Sequence, residues 1–441
     1  MRTGIAVLSI LLLASSATAV VVNETQKLYA SDAEASDLFG ESVAASENYL
    51  VVGAPGNDVL FGTLVADMGA AYVFFRNVDD EWIQQARLTP IDGGTPAVGP
   101  SAGFGDSVAI GGPMVFAGAP GERAVYVYHE DGAGGWPHFQ KIVSPSSDPS
   151  DRFGEVLAVS GERLIVGAQE AVYFFEYDVV AGWKPVGSAT PLAVASGFGY
   201  SVAIDGIYAV VGAPNDDYLG ANVGAAHVYA WTGLKWVYEG ALPRPTGLGP
   251  SYEFGHSVAV SGTTILVSAS RFLLGGGSGG VGKAYLYDRI SGVWQPRSEF
   301  EALDPSPSGE FGWSVALRDG AALATDNYYD GTAVNTGRAY VFTPSGSINW
   351  QKSFTLEASD GELADYFGSW IAVSGGTVLV GAWGDDDMAT TAGAAYVFEL
   401  ALGPGGGGVV PATDGFGVLL FAGATLILGV VYLKRLPSRL S

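Results

Sequence analysis

Cysteine is absent from this chain. That excludes disulfides, thiolate metal centres and a cysteine-borne lipid, so stability has to come from packing alone. Cations are scarce as well: 21 lysines and arginines face 45 aspartates and glutamates, a net charge of −24. Setting aside Arg2, Lys434, Arg435 and Arg439 at the two ends leaves −28 on the segment between them. A surface of that sign repels phosphates, so neither nucleic acid nor an anionic membrane surface is an expected partner, and much of the charge is read as a solubility coat. The only four histidines, His129, His138, His227 and His256, have no partner that sequence can position, and a structural role is expected for each. Between the ends, no stretch shows the apolar spacing of an amphipathic helix.

What the chain does contain is repetition. At matched positions Phe-Gly recurs seven times, at Phe39, Phe104, Phe153, Phe198, Phe254, Phe311 and Phe367, on average roughly 55 residues apart. A variable residue and then mostly Ser-Val-Ala follow, as in FGESVA at 39, FGDSVA at 104, FGYSVA at 198, FGHSVA at 254 and FGWSVA at 311. Repeats three and seven read FGEVLA and FGSWIA. Gly-Ala-Pro comes next at Gly53, Gly118 and Gly212, then a block such as GAAYVF at 69 and 393 or GRAYVF at 337. Six repeats close on a block led by Trp82, Trp136, Trp183, Trp236, Trp294 or Trp350. Each block is short, rich in Val, Ala, Tyr and Phe, and bounded by Gly, Pro, Asp or Ser, which predicts a β-strand. The first two strands of a repeat are apolar on both faces, whereas the outer strand spaces its apolar residues by even steps.

These blocks resemble the FG-GAP repeat family, whose best-known region is the seven-bladed propeller at the head of integrin α chains. The resemblance covers residues 26 to about 400. It implies an all-β fold: a seven-bladed β-propeller of four-stranded antiparallel blades. The seventh repeat stops at Glu399 without a Trp-led strand, while Gln26-Lys27-Leu28 stands alone at the start and matches the end of one. The N-terminal segment is therefore expected to complete the last blade and remove the exposed edges of an open array.

The ends read as targeting segments. Arg2, an apolar run from Ile5 to Leu13 and Ala17-Thr18-Ala19 have the three parts of a secretory signal peptide over residues 1–19, with cleavage expected between Ala19 and Val20. Residues 20–402 would form the propeller and 403–414 a glycine-rich linker. The uncharged stretch 415–433 is long enough for a transmembrane helix, and basic residues in 434–441 place that tail in the cytoplasm. The same tripartite end, with VPATDG before the span, also fits a sorting signal that a membrane protease removes. The expected location is the cell surface, with the propeller outside.

Loop lengths divide the two faces of such a ring. Turns between strands one and two are tight, as at Ser160-Gly161, Asp205-Gly206 and Gly375-Gly376. The opposite face receives longer acidic loops at 56–68, 215–223, 326–336 and 384–392, and inter-blade loops at 32–37, 148–151 and 360–365. Binding residues favour loops held by a rigid scaffold, and in integrin α propellers this face carries the ligand contacts. Asp216, Asp217, Tyr218, Trp383, Asp385 and Asp386 are the expected ligand-binding residues, with the acids on a solvated rim.

No cofactor is expected. The resemblance fails at the D-x-D-x-D-G calcium loop often found between strands one and two of integrin repeats; Ser46-Glu47-Asn48 and Arg318-Asp319-Gly320 are too short for one. Asp385 and Asp387 are the candidates for weak calcium binding, but two or three ligands fall short of the six to eight that the ion takes. Gly276-Gly277-Ser278-Gly279-Gly280 matches a nucleophile elbow only through its glycines, lacking the flanking strand and helix. Asn23-Glu24-Thr25 is a glycosylation sequon, relevant only in a eukaryote. The expectation is a non-enzymatic surface recognition or adhesion module that binds an extracellular protein or glycan. A hydrolase or lyase at the central channel, or a structural surface coat, are the alternatives, because the fold does not choose among them. A carboxylate pair at the channel would favour the enzyme, an exposed aromatic patch the binder.

Overall fold

The computed structural model describes residues 20–401, apart from 62, 66–67, 93–94, 97–101, 192–195, 218–222, 246–251, 271–280, 303, 307–308, 319 and 346–348, together with 410–411. The expected leader with Ala19, the expected linker with its glycines at 403–408, the apolar stretch 415–433 and residues 434–441 lie outside the described residues. Among the described residues no helix is long and apolar enough to cross a membrane.

Seven antiparallel sheets follow one another along the chain. Blade 1 runs from Ser42–Ala45 through Tyr49–Ala54 and Ala70–Arg76 to Trp82–Leu88. Blades 2 to 6 repeat it over 108–143, 156–189, 201–241, 254–300 and 315–357. Blade 7 has three strands of its own, Ile371–Ser374, Thr377–Ala382 and Ala394–Ala401. Its outer strand comes from the other end of the chain. Strand β1 (Val20–Asn23) lies parallel to Asn349–Glu357 as a fifth strand of blade 6, and β2 (Gln26–Leu28) pairs antiparallel with Ala395–Val397. The N-terminal segment thus straps blade 6 to blade 7. Gln26 also clips blade 7 to blade 1: its amide donates to the Trp82 carbonyl at 2.7 Å and accepts from the Trp82 N–H at 2.8 Å.

The core consists of seven apolar clusters, one at each blade interface, from that of blades 1 and 2 around Phe104 to that of blades 7 and 1 around Phe39. Every repeat phenylalanine is at most 1% exposed. Each packs against the third-strand aromatic of its own blade, as Phe39 does on Tyr72 at 5.4 Å and Phe367 on Tyr396 at 5.4 Å, both edge to face.

The glycine after each phenylalanine has φ between +91° and +98°, a region that side chains avoid. It also touches the preceding blade: a Cβ on Gly105 would lie 2.4 Å from the Ala70 carbonyl oxygen. Its own carbonyl seats on that blade, where the Gly-Ala-Pro glycine leaves room; a Cβ on Gly53 would lie 2.1 Å from the Gly105 oxygen. The serine of Ser-Val-Ala completes the seam in blades 1, 2 and 4 by donating to the next blade's glycine carbonyl, Ser42 to Gly105 at 2.7 Å, Ser107 to Gly154 at 2.7 Å and Ser201 to Gly255 at 3.0 Å; across the closure Ser369, one position earlier in its block, donates to Gly40 at 3.3 Å. The motif is therefore a docking device between blades.

Deleting residues 20–30 exposes the edge of Ala394–Ala401 and removes Leu28 and Ala30 from the closing core cluster. The expected loss is several kcal/mol, on the order of 3 or more. Thermal unfolding of the truncated chain tests this, and an unchanged Tm contradicts the strap as a stabilising element.

Candidate functional site at the mouth of the channel

The residue after each Phe-Gly has its backbone fixed by the seam, so its side chain is free to face the channel. All seven line one cavity of roughly 470 Å³ at the long-loop end. Glu41, Asp106 and Glu155 come from blades 1 to 3; Tyr200, His256 and Trp313 come from blades 4 to 6; Ser369 comes from blade 7. Half of the mouth is acidic and the other half aromatic.

The aromatic half is continuous. Ring centroids step from Tyr200 to His256 at 5.1 Å, to Trp313 at 5.0 Å, to Tyr328 at 5.7 Å, to Tyr366 at 5.5 Å and to Trp383 at 4.7 Å, the last pair stacked at 9°. His256 is held in the middle, with Nδ1 3.1 Å from the Trp313 carbonyl oxygen and Nε2 3.3 Å from the Tyr200 hydroxyl. A carbonyl oxygen only accepts, so Nδ1 carries the proton and, in the neutral ring, Nε2 accepts from the Tyr200 hydroxyl. Tyr366 holds a left-handed φ of 53°, rare for an aromatic residue, and that conformation delivers its ring to the stack. Tyr200 and Trp370 are 50% and 41% exposed.

Across the mouth, burial pushes the Glu41 carboxyl up. Burial together with the nearby Glu41 and Glu155 charges raises Asp106 to about 7, with Arg152 pulling the other way. Arg152 itself is tied to Glu155 at 3.0 Å. Removing carboxylates from water beside like charge disfavours their ionised form. The opposite mouth, framed by the tight turns, has a separate cavity of roughly 520 Å³ lined by Glu47, Asn48 and Asp205 among others, with Tyr49 its sole aromatic.

Of the residues expected from sequence, Trp383 lines the mouth, Asp217 and Asp386 are exposed on loops, and Tyr218 lies outside the described residues. Asp216 and Asp385 do not sit on a solvated rim: they are 0% and 3% exposed. Asp216 lies 3.4 Å from Nε2 of the equally buried His227, which takes the place of the repeat tyrosine. Asp385 accepts from the Tyr396 hydroxyl at 2.8 Å. The Lys27 ammonium stands 2.7 Å from each of Asp360, Asp385 and Asp387. Burial opposes that charge, but the hydrogen bonds to the three carboxylates outweigh it and raise the lysine pKa; the same contact lowers Asp387. The candidate calcium ligands thus surround a protein cation that belongs to the strap. Among the described residues, no group of three or more Asp, Glu, His or Cys side chains is arranged to hold a metal ion.

Glu41, Asp106, Glu155, Tyr200 and Trp313 were not anticipated as site residues, and His256 was expected only to be structural. The signal was present: each fills the one position of a near-fixed block that varies freely.

A ring of four-stranded blades around a channel with a cavity at either mouth defines a β-propeller. The FG-GAP repeat family matches residues 22–74, 193–229 and 350–398, which contain Phe39-Gly40, Phe198-Gly199 and Phe367-Gly368. With the repeat present in every blade, the chain belongs to the FG-GAP repeat β-propellers. No curated protein matches it in sequence. Among solved structures, a protein from Lactobacillus plantarum, a Northeast Structural Genomics Consortium target, is similar at 12% identity over 74% of this chain and 86% of that one, with a TM-score of 0.49.

Two outcomes follow from these geometries. Lys27→Met leaves Asp385 buried without its cation and is expected to destabilise the fold by about 3 kcal/mol or more, read as a lower denaturation midpoint; an unchanged midpoint contradicts the clasp. For Asp106 the folded pKa is raised above the unfolded value, so its stabilising contribution is present below the ordinary carboxylate range and lost as pH rises through about 7. Asp106→Asn is therefore expected to unfold ~1–3 °C above wild type near pH 8, with the gap shrinking towards pH 5. A gap that grows on acidification contradicts that environment.

Proposed function

We propose that this propeller is a recognition module carried at the cell surface, exported by its leader and tethered by its apolar C-terminal segment, and that it binds its extracellular protein or glycan ligand at the long-loop mouth of the channel. The observation that carries this reading is the unbroken chain of aromatic rings from Tyr200 to Trp383. Exposed aromatic rings beside desolvated polar groups are costly to leave open to water, and rigid aromatic anchors are the side chains that most often dominate binding energy. FG-GAP propellers as a class are consistent with a protein-binding role.

A hydrolase or lyase is the second reading, favoured by the two raised carboxyls, Glu41 and Asp106, that share the cavity. The two readings separate in one experiment. An array of extracellular proteins and glycans probed with the full chain identifies a ligand, and surface plasmon resonance then compares wild type with Trp313→Ala, Trp383→Ala and Glu47→Gln. Recognition at this mouth predicts that the tryptophan variants weaken binding at least about tenfold while Glu47→Gln, at the other mouth, leaves it intact. Turnover of the bound ligand, abolished by Asp106→Asn with binding kept, establishes the enzyme instead.

A further inference from the structure

The mouth combines two features that are rarely placed together without cause. One wall carries the rings of Tyr200, Trp313 and Trp383, the last stacked on Tyr366. The facing wall carries the half-buried carboxyls of Glu41 and Asp106, with Glu155 at the rim. Aromatic faces carry negative potential and attract a cation, most strongly where water is thinned out. Desolvated carboxylates do the same by direct Coulomb attraction. Both walls therefore favour the same sign of guest. The volume, roughly 470 Å³, lies within the range for a small ligand or one ligand moiety.

The basic groups that could fill this role from within do not do so. Arg152, the lining guanidinium, is half exposed and bound to Glu155. His256 is committed to Tyr200 and the Trp313 carbonyl. At the blade edge the situation is the reverse: Lys27 already fills the cage of Asp360, Asp385 and Asp387.

We propose that the long-loop mouth is a subsite for an organic ammonium group, one per propeller, seated with its alkyl face on the Trp313–Trp383 arc and its charge towards Glu41 and Asp106. This rests on the recognition reading and names the chemistry that the mouth selects. A neutral sugar gains from the rings but not from the carboxylates. An anion is repelled by three acids against one arginine. A bare metal ion gains little from the rings and finds too few ligands. A guest cation stabilises ionised Asp106, whose carboxyl titrates near 7, so binding releases protons and tightens as pH rises through neutrality. Among the described residues, the other titratable or charged groups facing that cavity are Glu41, Glu155, Arg152, Tyr200 and His256.

The test is isothermal titration of the full chain with choline and with its uncharged isostere 3,3-dimethylbutan-1-ol. Expected are saturable one-to-one binding of choline, at least about tenfold weaker binding of the isostere, and tighter binding near pH 8 than near pH 5.5 with proton release seen by changing the buffer. Asp106→Asn should remove most of the pH dependence, Trp313→Ala should weaken choline at least about tenfold, and Glu47→Gln at the opposite mouth should change nothing. Titrating a lysine-bearing peptide and its acetylated form alongside distinguishes a side-chain source of the ammonium from a small molecule. If a variant fails to fold, the comparison of choline with its isostere on wild type still decides. Equal binding of the isostere, no binding of either cation, or an unchanged affinity in Trp313→Ala overturns the proposal. A ligand found on the array that Trp313→Ala releases but choline does not displace overturns this subsite while leaving recognition at the mouth intact.

Discussion

The structure depends on one backbone contact repeated around the ring: the glycine of Phe-Gly pressed against the preceding blade. Seven sheets could pack face to face through apolar side chains alone, but side chains would not fix their angle or spacing. The glycine does, because its carbonyl reaches the opposing Gly-Ala-Pro backbone with no Cβ on either side. Where the opposing glycine is replaced, the seam adjusts rather than fails. Ser268 and Thr325 stand opposite Gly312 and Gly368, where a Cβ on either glycine would lie 2.8 and 2.9 Å from theirs, and their hydroxyls accept from the N–H groups of Ser257 and Ser314 in their own blades. Blade 3 has the buried Val156 in the serine position and so no hydroxyl at that point.

This constraint explains where variation is allowed. Phenylalanine is committed to the core, glycine to the seam and serine in most repeats to a hydrogen bond, which leaves the third position of the block outside the seam except at Ser369, which bonds Gly40. Around the ring that position spells Glu, Asp, Glu, Tyr, His, Trp and Ser, and the seven side chains meet in one cavity. A symmetric scaffold thus presents an asymmetric lining, and blades 2 and 3, whose connections between strands two and three span only 120–123 and 169–170, leave its acidic side the less covered.

The fold was legible because its signals were local and repeated. Phe-Gly, Gly-Ala-Pro and the Trp-led strand recur often enough that chance is no competitor, and the orphan Gln26-Lys27-Leu28 had one vacant place to fill. The fate of individual acids was not legible. Asp385 sits in a run of three aspartates that reads as a wet turn, and only the arrival of Lys27, more than three hundred residues away along the chain, makes it a buried anion. Asp216 likewise turns inward because the third strand of blade 4 carries His227 where tyrosine is usual, a substitution visible in sequence but mute about its partner. The mouth was hidden for the opposite reason. Its residues vary from repeat to repeat, and a comparison among repeats discards variation as noise when it looks for structure.

Closure and the proposed recognition site lie close together in blade 7, and their chemistries explain how they are kept apart. Trp383 and Asp385 are two residues from one another, yet the ring turns to the channel and the carboxylate turns outward to Lys27 and Tyr396. Gly384 between them permits this, since a Cβ there would lie 2.1 Å from the Ala364 carbonyl oxygen. At the outer site the anion is neutralised by a lysine of the same chain, which stabilises the closed ring whether or not a ligand is present. At the inner site Glu41 and Asp106 lack a comparable internal cation, and the carboxyls resist ionisation. Leaving such groups underpaired weakens the apo fold, and a ligand that supplies the missing charge recovers that stability as affinity. The fully paired acids therefore serve the ring, and the underpaired ones mark the proposed ligand site.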